Sequence, residues 1–283
     1  VATARVVVTV TGVNDAPRVV EALDDRRVAD GNAVVIAAGQ AFADADTGDR
    51  LSYSATGLPA GLTIDAETGT ITGSLGADAS QAGPYRVTVT ATDGAGARIS
   101  SPFTLTATNV APVAAADRVS TGENTVASGN VLKNDVDGGA DRDPLAVSQV
   151  DGRADAVGTA VAGSAGGRFT IGADGQYRFD PGTDFDALAD GQSATTQITY
   201  QVSDGQGGAD TATLTVVVAG ANDAPVVAAP TPDQTVSRGQ DIVITAGDAF
   251  VDAEGGPLSY SADGLPAGLE IDPDTGRITG TIG

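Results

Sequence analysis

The chain contains no Cys, Met, Trp or His in its 283 residues. Without Cys there are no disulfides and no thiolate metal sites. Without His, the usual general base and the usual transition-metal ligand are missing. Lysine is nearly absent too. Lys133 stands alone beside 14 Arg, against 32 Asp and only 5 Glu. The net charge of −22 repels nucleic acid and anionic lipid, so neither is an expected partner. No apolar run approaches the roughly 18 residues of a membrane-spanning helix, so no membrane insertion is expected. The first ten residues, VATARVVVTV, have no signal-peptide layout and read as a strand already in progress. The chain therefore reads as part of a longer protein.

What is present is β-forming. Val and Thr fill period-two alternations at 5–11, 85–91, 103–108, 196–202 and 211–218. Gly, of which there are 38, clusters with Asp, Asn and Pro between them as turns. No stretch carries a capped 3.6-residue apolar stripe, so no helix is predicted. The fold class expected is all-β, a rod of tandem sandwiches.

The chain also repeats itself. LSYSATGLPAGLTIDAETGTITGSLG at 51–76 returns as LSYSADGLPAGLEIDPDTGRITGTIG at 258–283, with 19 of 26 positions identical. Linker-like punctuation recurs as Val13-Asn-Asp-Ala-Pro17 and Ala221-Asn-Asp-Ala-Pro225, and in weaker form as Thr108-Asn-Val-Ala-Pro112. Ala-Pro makes a stiff exit from one module into the next, because Pro fixes its own φ and restricts the residue before it. The expected division is 1–13 as the last strand of a preceding module, then modules at 14–108, 109–220 and 221–283. The last of these lacks a counterpart of 77–108. It should be unstable alone, with one inner face uncovered.

Acids gather where modules meet. Asp44, Asp46 and Asp49 stand in DADTGD. Asn134, Asp135, Asp137, Asp141 and Asp143 stand in NDVDGGADRD, and Asp252 and Glu254 in DAEGG. A second acid recurs at strand exits, Asp93 and Asp204, each followed by Gly. A third recurs in the linkers as Asn14-Asp15 and Asn222-Asp223. In extended backbone an Asp-x-Asp pair puts both carboxylates on one side. An all-oxygen donor set with flexible geometry suits calcium better than magnesium, and zinc is disfavoured without His or Cys. Ordinary Asp-Gly turns would look similar singly. Their recurrence in three modules favours Ca2+. The twelve-residue EF-hand loop with its closing Glu is absent.

The order of these motifs resembles a cadherin repeat: an Asn-Asp-x-x-Pro linker, Asp44-Ala-Asp46, Leu-x-Tyr-Ser, Ile64 to Ile71, then Ala91-Thr-Asp-Gly-Ala-Gly96. Modules one and three look like the dystroglycan-type, Ig-like repeats of bacterial surface proteins. Module two resembles bacterial cadherin-like (VCBS-type) repeats through Asn134 to Leu145 and Ile198 to Gly208. Such arrays resemble those of large secreted adhesins of the RTX and biofilm-associated kind. The resemblance implies Ca2+ at module junctions. The implied ligands are Asp44, Asp46 and Asp93 with Asn14 and Asp15; Asp135, Asp137 and Asp204 with Asn109; and Asp252 and Glu254 with Asn222 and Asp223. Glu123 resembles the acid that reaches from one repeat toward the following linker. The Leu-Asp-Arg-Glu motif of cadherins is absent after Thr72-Gly73, and Val110 stands where the other linkers have Asp. One ion per junction is the expectation.

Phe42 and Phe250 read as core plugs beneath the acid loops, Tyr53 and Tyr260 as inward strand residues, and Tyr177, Phe179 and Phe185 as core. No enzyme is expected. A Ser nucleophile has no His, and the acids sit in turns rather than across an aromatic-lined cleft. The function expected is an extracellular, calcium-stabilised spacer of a bacterial cell-surface adhesin, partnered by neighbouring repeats and supporting cell adhesion or biofilm formation. Two alternatives stand beside it: a module that binds polysaccharide or a homologous repeat, and an accessory region of a secreted carbohydrate-active enzyme.

Overall fold

The structure is a computed structural model that describes every residue except 1, 2, 47 and 141. The chain is nearly all β, with 41% of residues in strands and 6% in helix. It divides into two compact units. One holds the residues up to Ala114 together with Asp135–Ala146 and Val202–Asp210. The other holds Ala115–Asn134, Val147–Gln201 and Thr211–Gly283.

The first unit contains a two-sheet sandwich. One sheet runs Arg26–Ala29, Arg98–Thr108, Tyr85–Thr92, Ser52–Thr56 in spatial order, and the other Ala33–Ala37, Thr70–Ser74, Leu62–Ile64. Alternation decides which side chains face inward. Val87, Val89 and Ala91 from one strand and Phe103, Leu105 and Ala107 from its neighbour are buried against Val34, Leu62 and Ile71 of the facing sheet. Fully burying a Leu or Val of this kind stabilises by about 1.5–3 kcal/mol. Most pairings are antiparallel, but Arg26–Ala29 runs parallel to Leu105–Thr108.

The second unit is built around another sandwich, with sheets ordered Asp117–Gly122, Ala209–Ala219, Ser193–Ser203, Ala146–Val150 and Ala127–Asn130, Gln176–Asp180, Arg168–Ile171, Ala160–Ala162. Phe169 and Phe179 are fully buried with ring centroids 4.7 Å apart. Asp117–Gly122 again runs parallel to the last strand, over Leu214–Ala219. The same unit holds a third sheet, Asp241–Thr245, Arg277–Thr281, Leu269–Ile271. Its register copies the first unit. Ile242 and Leu269 both face Gly280, as Val34 and Leu62 both face Gly73. Among the described residues no second sheet covers this one. Phe250, Tyr260, Ile271 and Ile278 instead line an open cavity of about 530 Å³.

Four expectations change here. Arg5–Thr11 forms no strand. Val6, Val8 and Val10 are 79–87% exposed, because alternation supplies propensity but a ladder needs a neighbouring strand. Phe42 is a core plug at 6% exposure, whereas Phe250 is 41% exposed. Tyr53 lies on a strand, whereas Tyr260 does not, since nothing equivalent to Tyr85–Thr92 pairs beside it. Among the described residues one α-helical turn does occur, at Ala79–Ala82, beside four 3-10 helices of three or four residues each. By contrast, Phe179 and Phe185 are core, as expected. Asp141, counted among the acids of its loop, lies outside the described residues.

Candidate metal centre

Short ladders carry each linker past an acid loop. Arg18–Val19 pairs with Phe42–Ala43, so Pro17 and the residues before it run beside Asp44 and Asp46. Asp46 N–H donates to Asp44 Oδ1 at 2.8 Å, and Asp15 N–H donates to Asp46 Oδ2 at 2.7 Å. Asn14 Nδ2 donates to Asp93 Oδ2 at 2.9 Å. The other Asp93 oxygen accepts the N–H groups of Ala95 and Ala97 at 3.0 and 2.8 Å. The Asn14 amide and these backbone donors hold the Asp93 carboxyl below its usual range against the opposing effect of burial. Asn14, Asp15, Asp44, Asp46 and Asp93 are thus brought together. Asp44 Oδ2 is buried with no hydrogen-bond partner.

The second cluster repeats this construction within the first unit. A bridge between Val113 and Val136 sets the linker beside Asp135 and Asp137. Asn109 Nδ2 donates to Asp204 Oδ2 at 2.7 Å, while Asp204 Oδ1 accepts from Gln206 N–H and Gly208 N–H at 2.8 and 3.0 Å. Gly208 is required by close approach. A Cβ there would lie 2.0 Å from Asp204 Oδ2. Asp137 Oδ2 accepts from Gly139 N–H, and its Oδ1, like Asn109 Oδ1, is buried and unpartnered. Asp135 is buried.

The third cluster lies in the second unit. Val226–Val227 pairs with Phe250–Val251, the counterpart of the first ladder. Asp223 N–H donates to Glu254 Oε1 at 2.6 Å, repeating the bond from Asp15 to Asp46. Asn222 Nδ2 donates to the Asp223 carbonyl, as Asn14 does to that of Asp15. Glu123, 1% exposed, accepts Ala221 N–H on Oε1 at 2.6 Å. Glu123 Oε2 and Glu254 Oε2 are buried without partners. Asp252 accepts Gly256 N–H and, among the described residues, is hydrogen-bonded to none of the others.

The family model described as "Putative Ig domain" matches residues 16–108 and 224–283, together more than half of the chain. A model for the bacterial cadherin-like domain matches 109–220. This chain belongs to the Ig-domain family of the first model, with a bacterial cadherin-like domain between its two Ig-type stretches. No curated protein matches. Among solved structures, mouse cadherin-23 EC22-24 is 16% identical at a TM-score of 0.38, over 95% of this chain and 89% of that one. The human desmocollin-1 ectodomain is 14% identical at 0.36, over 94% and 54%. An endo-fucoidan hydrolase of glycoside hydrolase family 107 is 19% identical at 0.29, over 94% and 40%. The chain therefore spans about half or less of the last two. Both matched families are non-catalytic domains. Among the described residues, no helix is long and apolar enough to cross a membrane.

Among the described residues no three acids stand close enough together to hold an ion as they are placed. The donor chemistry nonetheless fits a hard cation. Each linker region of the Ig-type and cadherin-like stretches carries buried acceptor oxygens without donors: Asp44 at the first, Asn109 and Asp137 at the second, Glu123 and Glu254 at the third. A buried acceptor left without a partner costs about 1–3 kcal/mol, more if charged. Every one is an oxygen, the donor type calcium takes. Three residues near the second linker were missed from sequence, Asp30, Asp78 and Gln206, and Asp143, counted in its loop, meets Gln206. Asp30 was findable. Asp30 directly follows the first strand of its sandwich, ahead of Gly31, as Glu123 directly follows that of the next.

Proposed function

We propose that this chain is a calcium-stabilised spacer of a secreted bacterial cell-surface adhesin, organised as modules at 14–108, 109–220 and 221–283 with 1–13 belonging to a preceding one. The matched cadherin-like and Ig-like families support an extracellular, adhesin-type module. Neighbouring repeats are the partners. The observation that carries the reading is the recurrence, at every linker, of buried carboxylate or amide oxygens without donors. Asn14, Asp15, Asp44, Asp46 and Asp93 would hold an ion at the first linker. Asn109, Asp135, Asp137 and Asp204 would hold one at the second, and Glu123, Asn222, Asp223, Asp252 and Glu254 one at the third. A bound Ca2+ would neutralise carboxylates that otherwise repel and would fix each Ala-Pro exit. The Asn14 and Asn109 amides now turn nitrogen toward Asp93 and Asp204. Rotating the amide would turn oxygen toward the ion instead.

Calorimetric calcium titration of the chelated protein, with thermal melts at both end points, tests this. Binding in the range of about 10⁻⁴–10⁻³ M or tighter, with a raised melting temperature, is expected. No heat of binding, with a melt indifferent to chelator, would leave these acids as ordinary turns and end the reading.

A further inference from the structure

The two linkers described on both sides are wired differently. In the cadherin-like stretch the first strand ends at Gly122, and Glu123 N–H donates to the Ala219 carbonyl. Pro225 follows Ala219 by six residues. In the first Ig-type stretch the strand ends at Ala29, and Asp30 N–H donates to the Thr108 carbonyl. Pro112 follows Thr108 by only four residues. Asp30 therefore occupies the place of Glu123 on a linker two residues shorter. Among the described residues its carboxylate makes no hydrogen bond to that linker. Fully buried, it accepts Ser80 N–H on both oxygens, at 3.0 and 3.2 Å. An acid that could have served the junction is committed to its own module.

Another group spans the gap. Gln206 Nε2 donates to Asp78 Oδ1 at 2.7 Å and to Asp143 Oδ1 at 3.0 Å, with the Ala77 carbonyl at 3.3 Å. Gln81 Nε2 returns a bond to the Gln206 carbonyl at 3.1 Å. Asp78 precedes and Gln81 lies within the helical turn that Asp30 holds, and Asp143 and Gln206 belong to loops of the cadherin-like stretch. A primary amide has two N–H donors, enough to bridge two carboxylates without carrying charge. The corresponding position of the first Ig-type loop, two residues after Asp93, is Ala95.

We propose that Gln206 is a cation-free clasp: its amide nitrogen joins Asp78 to Asp143 in place of an ion, so that this junction holds when calcium is removed. Calcium at Asn109, Asp135, Asp137 and Asp204 belongs to the reading above, and the clasp does not depend on it.

The test is hydrogen exchange in chelator on the full chain, with Gln206→Ala and Gln206→Glu variants. In Gln206→Ala, the amides of Ser80 and Gly208 should exchange roughly tenfold faster, the loss of one or two hydrogen bonds. The amides of Ala95 and Ala97 in the first loop should not change. Gln206→Glu brings three carboxylates together. It should melt below wild type in chelator, recover in calcium and bind one more ion than wild type. Unchanged exchange at Ser80 and Gly208 in Gln206→Ala would overturn the clasp, whatever calcium does. So would loss of an ion from that variant, since Gln206 would then be a ligand. A wild type that binds no calcium ends the spacer reading alone, and the exchange result still decides the clasp.

Discussion

At the scale of single residues, one device is used twice. Asp93 and Asp204 each spend one oxygen on two backbone N–H groups of their own loop and the other on a linker Asn. Removing Asp204 strands three donors. Asp204→Ala should cost about 2–3 kcal/mol in a denaturant melt. Gly208→Ala should cost about 1–3 kcal/mol by pushing the same carboxylate off Asn109. Asp93 adds a pH dependence. Its folded pKa is depressed, chiefly by the Asn14 amide. The stability it contributes is present above the ordinary Asp pKa of about 3.9 and is lost as pH falls through the lower folded value. Asn14→Ala should move the acid transition to higher pH, and a fluorescence melt from pH 5 to 2 would show it. Asp93 and Asp204 were legible in the sequence because Asp-Gly at a strand exit is an unusual enough repeat. Gln206 was not, because a glutamine in a turn has no pattern. Only the folded chain shows that its amide meets Asp78, 128 residues away.

Among elements, pattern and partner have to agree. The two longest strands of each complete sandwich were readable from alternation, since Val87, Val89, Phe103, Leu105, Leu214 and Val216 all turn inward as period two requires. Arg5–Thr11 and Leu258–Ala262 carry the same signal and form no ladder. What distinguishes them is the absence of a neighbouring strand, which no local pattern records. Two aromatics make the point quantitatively. Phe179→Ala removes a fully buried ring packed on Phe169 and Phe185. It should cost about 3–5 kcal/mol. Phe250→Ala, at an open sheet face, should cost less than about 1 kcal/mol, being closer to a surface substitution, and urea melts of both variants would show the difference.

For the molecule as a whole, the parallel pairs have a consequence in terms of load. In each complete sandwich the first and last strands lie side by side and parallel, Arg26–Ala29 on Leu105–Thr108 and Asp117–Gly122 on Leu214–Ala219. Pulling the chain by its ends draws those two strands past each other in opposite directions. Their hydrogen bonds then carry the pull together, in shear, and cannot open one at a time like a zipper. The first pair matches four residues and the second six. Stretching the chain on a force probe should therefore give at least two separate ruptures. The longer of the two full contour-length gains, from the 109–220 stretch, should come at the higher force. The chain would then yield in a set order, the shorter grip first, lengthening before its stronger sandwich gives way.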